Sequence, residues 1–203
     1  MTTSTGTVQV QIGGSRIPSV ASDPSSAQHI FISVRGIEAH PSLVARDDSP
    51  DWQELASQLA RRPAQVDLMA RTDSCAAGPL GQSEVPAGVY RQIRLRLVSN
   101  QPATDAPRPE VNACGSIGFN CVIRADGSIR QLVLDGAAPQ LRIAPAQMDG
   151  GSLFVLPDTV SVIPIEFNAG LSLALLAGEA VRLVPVLTAA RRAACESMDG
   201  LQR

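Results

Sequence analysis

The chain has 203 residues, a formal charge of −2 and only 3% aromatic residues. A nearly balanced charge gives no basic surface for a phosphate backbone or anionic lipid to bind, so nucleic acid is not expected as a partner. With so few aromatic residues the core falls to Val, Leu, Ile and Ala, and a chain of this length can bury about 70% of its unfolded surface around one such core.

Met1 to Gly6 carries no signal-peptide pattern and reads as a flexible leader, residues 1–6, to a mature chain whose targeting segment has been removed. Strand-like Thr7–Ile12 follows, with Val8, Val10 and Ile12 alternating with polar residues. Ile30–Ile37 is the second strand, with Ile30, Ile32 and Val34 on one face and Gly36 marking a bulge. Between Asp47 and Pro63 two readings stand. Asp51 with Glu54 suits a helix N-terminus and puts Trp52, Leu55, Ala56 and Leu59 on one helical face, whereas Trp52–Leu55 also fits a strand.

Val66–Ala70 reads as a strand, and a Gly/Pro loop then leads to the Pro-Ala-Gly turn at Pro86–Gly88. Beyond it Ile93, Leu95 and Leu97 alternate with Gln92, Arg94 and Arg96, as on a sheet with one wet face. Arg91, Arg94 and Arg96 could grip a phosphate or carboxylate, but the alternation favours a solvated, edge-protecting surface. Ser99–Asn112 is a long exposed connection, and Cys121–Arg124, Ala125-Asp126-Gly127-Ser128 and Ile129–Leu134 form a hairpin, with Asp-Gly signalling a type I′ turn. Five further strands are expected at Leu141–Ala144, Gly151–Leu156, Thr159–Phe167, Leu171–Leu176 and Glu179–Leu187, with Pro164 and Pro185 marking edges or bulges. Residues 188–203 read as a short C-terminal helix and tail. The whole, residues 1–203, is expected to be a single all-β domain, a mainly antiparallel β-sandwich with one or two short helices. The longest apolar run, Leu171–Ala177, is strand-sized, so no transmembrane segment is expected.

Cys75, Cys114, Cys121 and Cys195 form an even set without a Cys-x-x-Cys pair, which favours two disulfides over zinc. Turn-forming Gly115, Ser116, Gly118 and Asn120 favour Cys114–Cys121, leaving Cys75–Cys195 by elimination. Such oxidation implies periplasm, cell surface or secretion, against the alternative of four reduced cytosolic thiols.

Four segments carry a family resemblance. They are Ile30–His40, Trp52 followed by Val66-Asp67-Leu68-Met69, Val85–Val98 with Pro-Ala-Gly-x-Tyr-x-x-Ile-Arg-Leu, and Val181–Leu187 with Leu-x-Pro-Val. Together they resemble a bacterial family of secreted and lipoprotein-type domains known as domain of unknown function 4382. Ile143–Gln147 and Ile165–Asn168 depart from the family's Pro-Ser-Gly and Asp-Phe-Asp segments, and the cysteine loop looks like a local elaboration. The resemblance implies an extracytoplasmic β domain and brings no catalytic residues.

The chemistry-bearing residues are few. His29 and His40 are the only imidazoles, and no Gly-x-Ser-x-Gly elbow occurs. Asp67 with Asp73, or Glu166 with Glu179, are nominal carboxylate pairs, but without a bank of aromatic residues to hold sugar. Asp47, Asp48 and Asp51 place three hard oxygen donors in one loop, which admits calcium as the one candidate cofactor, although the spacing is not that of an EF-hand. The leading expectation is a non-enzymatic module that binds a protein partner or assembles with itself through a sheet edge, with Val8, Val10 and Ile12 as the donated strand. Against it stand the same strand pairing inside its own domain, a calcium- or glycan-binding module, and a hydrolase that depends on His40.

Overall fold

The structure is a computed structural model that describes residues 4–14, 27–70, 80–134, 139–167, 173–175, 181–183, 187–189 and 192–193. The strands are β1 Thr5–Gly14, β2 Ala27–His40, β3 Gln53–Glu54, β4 Ala64–Asp67, β5 Gly81–Pro86, β6 Gly88–Tyr90, β7 Gln92–Leu97 and β8 Cys121–Arg124. They continue as β9 Ile129–Val133, β10 Gln140–Ile143, β11 Leu153–Val155, β12 Val160–Phe167, β13 Leu173–Leu175, β14 Val181–Leu183, β15 Leu187–Ala189 and β16 Arg192–Ala193. Helical structure among the described residues is confined to single 3₁₀ turns such as Ser57–Ala60.

One sheet runs β15-β12-β1-β5, with β16 also on β12; the larger runs β10-β7-β2-β8-β9-β14-β13, with β3 and β4 attached to β2; β11 and β6 make a small third sheet. The chain is an all-β sandwich of mainly antiparallel strands, although β1 and β12 run parallel. Period-2 alternation aims one face of each strand inward. Val8, Val10, Ile163, Ile165 and Phe167 from one sheet join Ile30, Ile32, Ile37, Ile93, Leu95 and Ile143 from the other in one apolar, mainly aliphatic cluster, all of them fully buried. Each such side chain contributes about 1.5–3 kcal/mol relative to exposure, which lets a core with little aromatic content suffice.

Strand β2 is the spine. Phe31 pairs with both Asp67 and Cys121, and Val34 with both Ala64 and Leu97, so β4 lies along one edge of β2 while β8 and β7 follow each other along the opposite edge. The register slips between Val34 and Gly36, the bulge that Gly36 suggests, and the extra residue is Arg35. Pro164 lies inside β12, between Ser161–Val162, which pair with β16, and Ile165–Phe167, which pair with β15.

Several expectations are corrected. Thr5 and Gly6 already belong to β1, so the leader is shorter than residues 1–6. Strand β1 is not a free donor: it lies between β12 and β5 of its own sheet, with Val8 and Val10 fully buried and Ile12 nearly so. Both edges of Thr7–Val10 are paired within the molecule, so this stretch has none to lend. No helix spans Asp51–Leu59. Gln53 and Glu54 pair with Ala39 and Glu38, and Leu55 N–H donates to Ile37 carbonyl at 2.8 Å, because the open edge of β2 offers those backbone groups partners. Within residues 188–203, Thr188, Ala189, Arg192 and Ala193 are strand, paired to β12, rather than helix.

The hairpin turn is also not type I′, which needs positive φ at both central residues. Only Gly127 has it, at 79°, and Gly127 N–H donates to Arg124 carbonyl at 2.9 Å, which makes a type I turn closed by a glycine bulge. Cys114 and Cys121 are disulfide-bonded, with Cα atoms 5.7 Å apart, as the turn-rich spacing predicts. The Cys75–Cys195 pairing and Pro185 lie outside the described residues.

Candidate functional site

The outer face of the larger sheet is organised in rows across three strands. Glu38, Arg94 and Arg142 are register partners on β2, β7 and β10; Gly36, Arg96 and Gln140 form the next row, and His40 faces Gln92 on the other side. Alternation sends Ile93, Leu95 and Leu97 into the core and these polar side chains outward. The outward face is only partly solvated, however. Residues 41–52 fold over it, and Gln92 and Arg94 are each only 7% exposed.

Three donors of that face and one of the loop itself tie the loop down. Gln92 Nε2 donates to the Leu43 carbonyl, Arg142 Nη1 to Ala45 carbonyl at 3.4 Å, Trp52 Nε1 to Arg46 carbonyl at 2.8 Å and Arg94 Nη1 to Asp47 carbonyl at 3.0 Å. Arg94 sits between an ion pair and a ring: its Nε donates to the buried Glu38 carboxylate, and its guanidinium carbon is 3.9 Å from the centroid of the Trp52 ring. Both contacts suit a guanidinium, which is weakly hydrated and stacks well. Arg96 shares Glu38 through Nη1 at 2.9 Å.

Charge on this face is unequal. Among the described residues, the carboxylates that Arg35, Arg94, Arg96 and Arg142 meet are those of Glu38 and Asp47. The β2 bulge turns Arg35 toward Arg94 and Arg96, where it lines a cleft of about 230 Å³ with Asp47, Pro139 and Gln140. Bulges commonly re-aim a side chain in this way. Arg35 Nε is buried and has no hydrogen-bond partner among the described residues. Burial, and next the neighbouring Arg96, lower the Arg35 pKa, with Glu38 opposing them. A hydrogen bond from Gln140 and the Arg142 guanidinium hold the Asp47 carboxyl below its ordinary range.

The structure does not gather Asp47, Asp48 and Asp51 into one cluster. Asp47 pairs with Arg142, Asp48 pairs with Arg46 at 3.2 Å, and the described residues contain no group of three His, Cys, Asp or Glu side chains that could hold a metal ion. Asp48 is met by its sequence neighbour Arg46, whereas the partner of Asp47, Arg142, is 95 residues away and invisible to the local pattern.

His40 does meet a serine, with Nε2 2.9 Å from Ser49 Oγ. Its Nδ1, however, accepts the Ser42 backbone N–H at 2.9 Å. Only the tautomer with hydrogen on Nε2 satisfies both contacts, so Nε2 donates to Ser49 and cannot take its proton. A nucleophile's base needs the opposite arrangement, with Nδ1–H held by a third group. His40 is instead a strand-end post, buried edge-on against Trp52 at 4.9 Å between centroids. His29 pairs with Asp67 at 2.7 Å, while Asp67 Oδ1 accepts the Met69 N–H at 2.9 Å and so closes the turn after β4. Glu166 lines a separate cleft with Asp149 and Thr188, and Asp73 and Glu179 lie outside the described residues.

The sequence singles out Arg94 and Arg96 but misses Glu38, Arg35, Trp52 and Arg142 as their companions. One signal was present: Gln140 and Arg142 repeat the outward polar alternation of Gln92, Arg94 and Arg96, as neighbouring strands sharing a polar face would. No curated protein and no solved structure matches the chain. The model of a family described as a domain of unknown function (DUF4382) matches residues 5–181, nearly the whole sandwich, and the chain belongs to that family.

Proposed function

We propose that this protein is a non-enzymatic, extracytoplasmic module that binds a partner protein through the outer face of β2, β7 and β10. The observation that carries this reading is the assembled arginine excess on that face. A preorganised, partly desolvated group of guanidinium ions recognises an anionic surface without any nucleophile or base. The His40 tautomer supports binding over hydrolysis. The Cys114–Cys121 bond supports an oxidising compartment, and no helix among the described residues is long and apolar enough to cross a membrane.

A photo-crosslinking amino acid placed at Arg46, at the border of this face, is expected to give one discrete protein adduct in the native cell. The same group at Val160, on the other sheet, is expected to give none. Absence of an adduct from both positions overturns the reading. So does ester or glycoside turnover that is lost in His40→Gln.

A further inference from the structure

Two clefts on the outer face share a wall. The cleft of about 230 Å³ holds Arg35, Arg94 and Arg96. A second, of about 250 Å³, starts from the same Arg35 and Pro139 and runs over Ala60, Pro102, Ala103 and Pro107. The two therefore adjoin as a trough's cationic end and a second end where Ala and Pro stand with Leu97, Val98, Ser99 and Gln101. Within the cationic end the Glu38 carboxylate is already shared by Arg94 and Arg96, while Arg35 makes no hydrogen bond or ion pair among the described residues.

Resting on the partner-binding role above, we infer that this trough receives an acidic-apolar peptide segment of the partner, its carboxylate held by Arg35 and Arg96 and the adjoining apolar side chain packed against Pro102 and Ala103. The carboxylates at the cationic end, Glu38 and Asp47, are taken by Arg94, Arg96 and Arg142, which leaves Arg35 without one. A peptide carboxylate offsets the Arg35 charge and the repulsion between Arg35 and Arg96, and guanidinium forks match its geometry. A free inorganic anion would fill the cationic end alone and leave the second cleft in water. A peptide covers both ends, and its apolar residue gains burial. Asp47, which also lines the cationic end, is turned to Arg142 and so does not compete for Arg35.

The test uses the full chain and three probes: the peptide Ala-Glu-Glu-Leu-Leu-Ala, its Gln-Gln counterpart, and inorganic phosphate. Binding is read by calorimetry and by the emission of Trp52, the chain's single Trp. The acidic peptide is expected to bind saturably and more weakly in high salt. The Gln peptide and phosphate are expected to bind at least about tenfold more weakly, the scale of one charge-assisted contact. Arg35→Gln is expected to weaken the acidic peptide by about tenfold on the same ground. Ala103→Glu, on the exposed loop of the second cleft, is expected to weaken it without touching an arginine.

Equal affinity of the acidic peptide for the wild type and both variants overturns the inference. Phosphate that binds through Arg35 more tightly than the peptide also overturns it and points to a free anion. A partner crosslinked at Arg46 together with no peptide binding removes this inference and leaves the partner-binding role standing. Peptide binding with no crosslinked partner does the reverse.

Discussion

The Trp52 ring covers the Arg94 guanidinium, with Cζ 3.9 Å from its centroid, while the same guanidinium pairs underneath with buried Glu38. An arginine that the strand pattern assigns to solvent is thereby enclosed between an indole and a carboxylate. The enclosure makes the outer face rigid, because Glu38, Arg94 and the loop carbonyl of Asp47 each fix one side of the same planar group.

Removing Glu38 should be costly and removing the whole pair should not. Glu38→Ala leaves Arg94 buried without its counter-ion and frees Arg96, an expected loss of about 3–5 kcal/mol in urea unfolding. Glu38→Leu combined with Arg94→Met replaces the pair by apolar volume and should recover most of that loss. A double variant as unstable as Glu38→Ala would count against the ion pair as the cause.

Acid should release the loop before it unfolds the sandwich. The folded Asp47 carboxyl titrates below its ordinary value of 3.8, so its stabilising contact is complete above that pH and is lost as pH falls further through the lowered folded value. Trp52 emission should therefore change below about pH 4, ahead of the loss of strand signal in circular dichroism. Asp47→Asn should remove the separate acid step, and an unchanged profile in that variant would refute its assignment to Asp47.

The disulfide closes a short, glycine-containing loop. Replacing Cys114 and Cys121 together by Ser should lower stability by about 2.5 kcal/mol on chain-entropy grounds, measured as a lower urea midpoint at unchanged slope. A loss near zero would mean that the polar network of Gln65, Asn112 and Phe119 holds the loop without the bond.

Gly118 is a further weak point. Its φ is +142°, and an added Cβ would lie 2.7 Å from Asn100 Oδ1. That oxygen accepts the backbone N–H groups of Phe119 and Asn120 at 2.9 and 2.8 Å. Gly118→Ala should cost about 1–3 kcal/mol from backbone strain, plus damage to these bonds. Gly115→Ala, also at positive φ but with open space around its Cβ, should cost less. Equal losses would show that crowding at Asn100 is unimportant.

Much of the fold could be read locally. Alternation at Ile30–Val34 and Gln92–Leu97, the Gly36 bulge, the Asp126–Gly127 turn and the Cys114–Cys121 bond each depend on a few consecutive residues, and each appears in the structure. Alternation states that a strand has two unlike faces. It does not state what packs on either. Whether Arg94 meets water or Trp52 depends on a loop that returns from β2, and its Glu38 partner is 56 residues away. Asp47 and Arg142 are separated by 95 residues, so no local pattern could move that carboxylate from a calcium loop to an arginine face. The same holds for β1, whose alternation fits a lent strand and an internal one equally; only its pairing with both β5 and β12 decides between them. The sequence by itself determined strand faces, turns and the short disulfide, because these are properties of neighbouring residues. Which polar groups share a face was decided by tertiary structure, because long-range pairing alone brings those charges together.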